Sequence, residues 1–409
     1  MKPRLRLTPA AGRGERRPGR ARQQRGLWAR GRGLLRRGPA LISALTCLAA
    51  GAPAAPAAAG VALEWDRAAT TRLIEAGATY GRMIRRRDGT LLVCYEKTRR
   101  CWVKSSRDGF QWSAPVEAAS SAIGLAANPE LLELNDGRVL LPFNERPQPE
   151  NGRAAYAIRL ATSADGGRTW NLRPEPLYTG GTRSADGVWE PAAIQLPGGE
   201  IQLFFANEHI TARNHEQAIS LMRSRDGGAT WSAPETVCLR PDHRDGMPVP
   251  LLLREGRGIA VAIEDNGLTG TLRFRPVIIH SPLEPSWPPP PVGAESPRRW
   301  PALSHPPATH VNVAAPYLRQ LPTGETLLSA QWSEVSGRHR RMVVFVGDVG
   351  ARHFTDRTLP FEPDDEADCL WNALFVFDAD TVTALSNTTI RGVRGLWAVN
   401  GRVVRRAAR

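Results

Sequence analysis

The chain has 409 residues, of which 54 are Lys or Arg and 40 are Asp or Glu, giving a formal net charge of +14. Residues 1–59 hold Lys2, twelve Arg and a single acid, Glu15, so +12 of that charge belongs to the first 59 positions and the rest of the chain is close to neutral. A basic surface of the kind that binds nucleic acid is therefore excluded from the folded part, and no nucleic-acid partner is expected.

The Arg-rich start runs into Pro39-Ala-Leu-Ile-Ser-Ala-Leu-Thr-Cys47-Leu and then the small-residue stretch Ala52 to Gly60. A basic region, a short apolar run and a small-residue exit form the pattern of an export signal, with cleavage expected near Ala59 and a periplasmic or extracellular destination. The apolar run, broken by Pro53 and Pro56, is too short to span a bilayer. Arg36-Arg37 and Cys47 leave a twin-arginine or lipoprotein signal open, although their flanks fit either poorly. Residues 60–409 are expected to form one domain.

Within it, paired apolar runs recur. Arg82 to Glu96 folds back around Asp88-Gly89, and Leu374 to Asn387 around Asp378. Between them Pro129 and Gly137, Pro191 and Gly199, Pro248 and Gly256, and Pro316 and Gly324 share one eight-residue spacing. An apolar run lies inside each Pro–Gly interval and another follows it, as in a β-hairpin. Six hairpins imply six repeated units.

A second pattern follows these hairpins. Ser163-Ala-Asp165-Gly-Gly167-Arg-Thr169-Trp170 and Ser224-Arg-Asp226-Gly-Gly228-Ala-Thr230-Trp231 are full copies of S-x-D-x-G-x-T-W; Ser106-Arg-Asp108-Gly109-Phe-Gln-Trp112 is a shortened copy, and Gly347-Asp348-Val-Gly350 before Phe354 a worn one. The chemistry is that of a turn: the carboxylate accepts from nearby backbone N–H groups, Gly supplies positive φ, and Trp packs between sheets. Such periodicity predicts an all-β, six-bladed β-propeller with four-stranded antiparallel blades, expected to be a monomer.

Cys94 and Cys101 flank a short connection between two strand-like runs and are expected to form a disulfide; Cys238 and Cys369 form a second pair or stay as thiols. His209 with His215, and His305 with His310, lack zinc-site spacing, so no metal or cofactor is expected. Pro282 to Pro307 is taken as an insertion between blades four and five, a surface loop or one wall of a pocket.

Topology locates the chemistry. First-strand starts and second-strand ends share one face, while the Ser-to-Trp turns decorate the other. The first group brings Arg82, Asn128, Glu190, Met247 and Tyr317 near the axis, and the second brings Glu96, Glu145, Glu208, Glu264 with Asp265, and Glu334. Two carboxyl groups across a pocket are what glycoside cleavage needs, one to protonate the leaving oxygen and one to capture or stabilise the oxocarbenium-like centre. Glu190, between Trp189 and Pro191 on an innermost strand, is the strongest candidate. Ser184-Ala-Asp186-Gly-Val-Trp189 mimics the turn motif and is expected to shape the loop presenting it.

The repeated turn resembles the Asp box of sialidases and their relatives, and Tyr80-Gly-Arg82-Met-Ile with Ala314-Ala-Pro-Tyr317 resembles their substrate-binding arginine and catalytic tyrosine motifs. Gly-Val-Trp-Glu190-Pro, Asp245-Gly-Met-Pro248 and Ile263-Glu264-Asp265 are similar instead to the exo-arabinanase branch. That resemblance implies Glu190 as nucleophile, Glu264 as acid/base, Tyr317 hydrogen-bonded to one of them, and Arg82, Asn128, Asp245 and Glu208 at the substrate. Only Arg82 matches the three arginines of a sialic-acid site, and no Asp follows Glu96. The expected activity is exo-acting glycoside hydrolysis of a terminal sugar; an exo-α-sialidase, or a non-catalytic propeller binding glycans or proteins, stays open.

Overall fold

The computed structural model describes residues 60–211, 216–334 and 338–405; the leader with Cys47, and His215, lie outside the described residues. Six antiparallel sheets succeed one another around a ring, each with its first strand innermost. Blade 1 comprises Thr79–Arg85, Leu91–Lys97, Arg100–Ser106 and Val116–Ala119. In blade 2, Gly124–Ala127 and Leu132–Glu133 form the inner edge, followed by Val139–Pro147 and Ala157–Ser163, with Asn171–Leu172 and Tyr178–Thr179 outside.

Blade 3 is Val188–Gln195, Ile201–Asn207, Ala218–Ser224 and Glu235–Cys238; blade 4 is Asp245–Leu252, Ile259–Asp265, Arg275–Ser281 and Arg299–Pro301. Blade 5 is Asn312–Gln320, Thr326–Ser333, Arg341–Gly347 and Thr355–Thr358. Blade 6 joins Leu370–Val376, Thr381–Ile390 and Val393–Arg405 to Val61–Trp65 and Arg72–Ala76 from the start of the domain. Val61 pairs with Arg405 and Trp65 with Gly401, so the two ends of the domain close the ring. This closing strand, ahead of the first hairpin, has no counterpart in the repeat pattern.

Each inner strand carries the same irregularity. Pairing with the second strand slips between Thr79 and Arg82, Trp189 and Ala192, Gly246 and Val249, Ala314 and Tyr317, and Leu370 and Ala373. In blade 2 the edge is interrupted between Ala127 and Leu132. At the slip one residue has positive φ in all six blades: Tyr80 (55°), Asn128 (48°), Glu190 (51°), Met247 (47°), Ala315 (48°) and Trp371 (52°). Pro follows four of them and, having no N–H to donate, suits the point where the ladder lapses.

The Asp boxes lie between third and fourth strands, on the face opposite these bulges. Ser163 Oγ accepts from Gly167 N–H at 2.8 Å, and Ser224 Oγ from Gly228 N–H at 2.8 Å. Asp165 accepts from the N–H groups of Arg168 (3.0 Å) and Thr169 (2.9 Å) and from the Thr169 hydroxyl (2.6 Å), which together hold its carboxyl well below the usual range. Trp170 and Trp231 tie back to Gly167 and Gly228 carbonyls at 3.1 and 3.0 Å. In the worn copy Asp348 still accepts from Gly350 and Arg352 N–H groups, both at 2.9 Å.

Two expectations are corrected. The proline-rich segment does not separate blades 4 and 5: residues 282–298 connect the third and fourth strands of blade 4, on the Asp-box face. Ser281 opens it in the register position of Ser224, since Ile259 pairs with Ser281 as Ile201 does with Ser224, and its Oγ accepts from Trp287 N–H. Trp287 is buried, so residues 282–298 are a long replacement for an Asp box, whereas Leu303, Pro306 and Pro307, between blades 4 and 5, line a cavity with Leu268 and Thr269.

Cys94 and Cys101 are both buried free thiols. A two-residue turn at Thr98 and Arg99, each at positive φ, sets Cys101 opposite Glu96 and Cys94 opposite Val103. The sulfurs are diagonal, one pairing step apart, where a disulfide is not formed. Cys238 and Cys369 are likewise free and buried.

Trp231, packed among Leu140, Leu160 and Ile201 between blades 2 and 3, is expected on truncation to Ala to lower unfolding free energy by about 2–4 kcal/mol in a denaturant titration, leaving upper-face ligand binding unchanged. Peptide mapping after alkylation in denaturant should find Cys94 and Cys101 both labelled; a linked peptide would refute the register.

Candidate active site

The six positive-φ residues form a ring around the axis, and its composition is uneven. Tyr80, Met247 and Ala315 pack together with Trp371 alongside, so four blades supply an apolar wall. Asn128 and Glu190 complete the ring on blades 2 and 3, which makes Glu190 its one acid.

One step further down each inner strand lie Arg82, Glu130 and Tyr317, meeting beneath that ring. Arg82 is 1% exposed, its guanidinium between the rings of Tyr80 (3.9 Å) and Tyr317 (4.7 Å), and its Nε stands 3.5 Å from Glu130. The Tyr317 hydroxyl lies 3.3 Å from Glu130 Oε2 and accepts from Arg319, whose guanidinium also covers the ring at 4.2 Å. Burial raises the Tyr317 pKa, opposed by Arg319 and Arg82. This cluster is the floor of the channel. Tyr317 is therefore held by Glu130, not by Glu190 or Glu264. Glu130 was legible in principle, because Asn128-Pro129-Glu130 and Ala315-Pro316-Tyr317 occupy the same register of the repeat.

Above the floor the second strands contribute. Glu264 pairs with Gly246, just before the blade 4 bulge, and its Oε2 accepts from Ala315 N–H at 2.8 Å. A Cβ at Gly246 would stand 2.4 Å from Gln217 Oε1 and 3.3 Å from Glu264 Oε1, so a larger residue there has to displace the Gln217 side chain. Glu96 holds the matching register in blade 1, opposite Thr79. The remaining second-strand acids are not equivalent. Glu145 is paired with Arg159 at 2.8 Å, and Asp265 is clamped by Arg299 and by Arg240 at 3.3 Å. Glu334 is exposed, 3.3 Å from Trp332 Nε1.

All four residues expected at the substrate are buried and paired. Asp245 is fully buried in a two-pronged pair with Arg299 (2.6 and 2.9 Å), so it is not presented to the channel. Glu208 is 5% exposed, accepts from Trp189 Nε1 and Gln217 Nε2, both at 3.2 Å, and pairs with Arg244 at 2.6 Å. Asn128 Oδ1 accepts from Arg146, whose Nε donates to Asn144 at 2.6 Å and whose guanidinium lies 4.9 Å from the Trp189 ring. Half-buried at the channel are Glu96, Arg146, Trp189, Glu190, Arg244 and Glu264.

The electrostatics follow from this packing. Burial, and then the nearby Glu264 charge, push Glu190 up to about 7, with Arg146 and Arg244 opposing. Burial also raises Glu264, opposed by the Ala315 N–H and by Arg244. The Glu264 charge thus opposes ionisation of Glu190, which keeps its proton towards neutrality. Among the described residues no hydrogen bond reaches the Glu190 carboxyl, while Glu264 is anchored, so one member is free to move towards a ligand.

A carboxyl whose folded pKa is raised from about 4.3 to about 7 stabilises the fold at low pH and loses that contribution as pH rises through 7. Glu190→Gln does not suffer the loss. Its stability relative to wild type should increase between pH 5 and pH 8, by on the order of 1 kcal/mol after allowing for channel water, as read from denaturation midpoints. A difference independent of pH would show that Glu190 titrates normally.

Residues 83–235 match a family model described as a BNR repeat-like domain. No curated protein sequence matches the chain. Among solved structures, the α-L-arabinanase of Penicillium chrysogenum, complexed with arabinobiose, is 20% identical with a TM-score of 0.63, over 82% of this chain and 98% of that one. The GH93 α-L-arabinofuranosidase of Fusarium graminearum, also with arabinobiose, is 20% identical with a TM-score of 0.62, over 80% and 93%. A protein of unknown function from Dyadobacter fermentans is 14% identical with a TM-score of 0.61, over 84% and 99%. With its Asp boxes and bulged inner strands the chain is a six-bladed β-propeller; residues 83–235 are similar to a BNR repeat-like domain, and the fold is that of the arabinanase and arabinofuranosidase structures.

Proposed function

We propose that the protein is an exo-acting glycoside hydrolase that removes a neutral terminal sugar, with Glu190 and Glu264 as its catalytic carboxyls. The observation carrying this reading is the coupled pair itself: two channel carboxyls, one with its pKa near 7, supply a proton donor and an ionised partner at the same pH. Asp-box turns, buried supports and the Arg82–Glu130–Tyr317 floor position the pair without touching the reacting bond.

A neutral sugar is favoured because the guanidinium groups around the axis are engaged by acids, by Tyr317 or by asparagines, with the Nη1 group of Arg146 left over. Arg82 faces Glu130, Arg244 pairs with Glu208, Arg319 binds the Tyr317 hydroxyl, and Arg146 is tied to two asparagines. A sugar carboxylate would meet no cluster of free arginines, which argues against a sialic-acid substrate. The arabinobiose named in two of the neighbours supports a terminal arabinofuranose as the first compound to try.

The resemblance gives Glu190 the nucleophile's part and Glu264 the acid's. In the empty channel the proton is better placed on Glu190, so attack by Glu190 requires the proton to pass to Glu264 first; loss of that proton as pH rises through about 7 leaves no acid, and kcat/KM should then fall. Export stays part of the proposal on the strength of the leader alone, since the unpaired Cys94 and Cys101 give it no support.

A panel of 4-nitrophenyl glycosides, beginning with the α-L-arabinofuranoside, tests the reading. Glu190→Gln and Glu264→Gln should each lower kcat by a factor on the order of 10³ or more on a substrate with a poor leaving group. The acid's variant should recover on a dinitrophenyl glycoside, which needs little protonation, and so identify the acid. Binding of glycans by wild type without any cleavage would establish the non-catalytic alternative instead.

A further inference from the structure

We infer that Glu96 and Arg146 form the part of the site that binds hydroxyl groups of the terminal sugar, Glu96 accepting and Arg146 donating. The inference rests on the hydrolase reading above and concerns residues outside its catalytic pair.

The second-strand position just before each bulge has a structural use in two blades. In blade 2 it holds Asn144, opposite Ala127, whose Nδ2 donates to Val188 O of the next blade at 2.6 Å. In blade 6 it holds Asn387, opposite Leu370, whose Nδ2 donates to Ala78 O at 2.7 Å. Val188 and Ala78 each stand two residues before the positive-φ residue of their blade, so the two asparagines are the same staple. Blades 1 and 4 put Glu96 and Glu264 in that register. A carboxylate donates nothing to a carbonyl, so the staple is lost in both.

What replaces it is similar. Glu264 accepts the N–H of Ala315, the positive-φ residue of the following blade, and Glu96 lies where the corresponding N–H of Asn128 lowers its pKa. Glu96 is thus the counterpart of Glu264, three blades away in a ring of six and therefore across the axis. Burial raises its pKa, opposed by Arg146, yet the two form no ion pair. Among the described residues no side chain donates to the Glu96 carboxylate.

Arg146 is fixed in place. Asn144 and Asn128 take Nε and Nη2, and Trp189 lies under the guanidinium. Nη1 has no partner among the described residues and is not among the buried unsatisfied atoms, so it is open to the channel. A carboxylate with free lone pairs beside an immobilised N–H matches neighbouring hydroxyls of one sugar ring. A terminal residue keeps such hydroxyls free, whereas a linkage through one of them removes the match. The pair would therefore select chain ends.

Glu96→Gln keeps the shape and removes the charged acceptor. On a 4-nitrophenyl glycoside hydrolysed by wild type, it should reduce kcat/KM by about 10- to 100-fold, the range of one charge-assisted hydrogen bond. On the one monodeoxy analogue lacking the recognised hydroxyl, variant and wild type should become equal. No loss on the parent, or an equal loss on the parent and every deoxy analogue, overturns the assignment. If wild type hydrolyses nothing, the hydrolase reading fails separately. Calorimetric titration with methyl α-L-arabinofuranoside then decides: tenfold weaker binding by Glu96→Gln supports the assignment, while equal binding, or none by wild type, overturns it.

Discussion

Six non-glycine residues held at positive φ at the same place on six inner strands set the geometry of everything near the axis. An L-residue in that conformation costs on the order of 1–2 kcal/mol, so the arrangement persists only because neighbouring blades over-determine it. The bulge breaks the alternation of the strand at one point and turns a single side chain towards the channel. It also frees a backbone N–H, and Glu264 is placed by such a group from the next blade.

The uneven filling of the ring explains the charge behaviour. Tyr80, Met247, Ala315 and Trp371 take four positions with apolar bulk and leave Glu190 as an acid beside a largely dry wall. Its raised pKa is then a consequence of where the bulge puts it, reinforced by Glu264 across a blade boundary. Below, the Arg82–Glu130–Tyr317–Arg319 cluster closes the channel, with Glu130 facing Arg82 and Arg319 bound to the Tyr317 hydroxyl. Behind, Asp245, Glu208 and Asn128 hold Arg299, Arg244 and Arg146. The buried polar residues thus position the half-exposed ones.

Much of the fold was legible because its repeats are local. The Pro–Gly spacing and the Ser-to-Trp turns report hairpins and turns formed by residues a few positions apart, and hydrogen bonds of that range depend little on the rest of the molecule. The closing strand Val61–Trp65 was not legible, since its partner lies more than 300 residues away and its sequence is an ordinary apolar alternation. The disulfide failed for a geometric reason: a two-residue turn made the sulfurs diagonal instead of opposite. At the site, Glu190 and Glu264 were proposed from their position in the repeat, and the structure places both half-buried at the ring of positive-φ residues. Asp245 and Arg82 were assigned to the substrate by motif, and motif alone carries no information about burial. Glu130 and Arg146 were overlooked because no motif contains them, although the register of the repeat aligns Glu130 with Tyr317.

The central claim is that Glu190 and Glu264 face one channel and that the Glu264 charge opposes ionisation of Glu190. Carboxyl ¹³C chemical shifts of the two side chains, followed from pH 4 to pH 9 in wild type and in each Gln variant, test it most directly. The account predicts two coupled steps with one near pH 7, and a fall in the Glu190 midpoint when Glu264 is replaced. Two independent titrations near 4.5, unchanged by substitution of the partner, would contradict it.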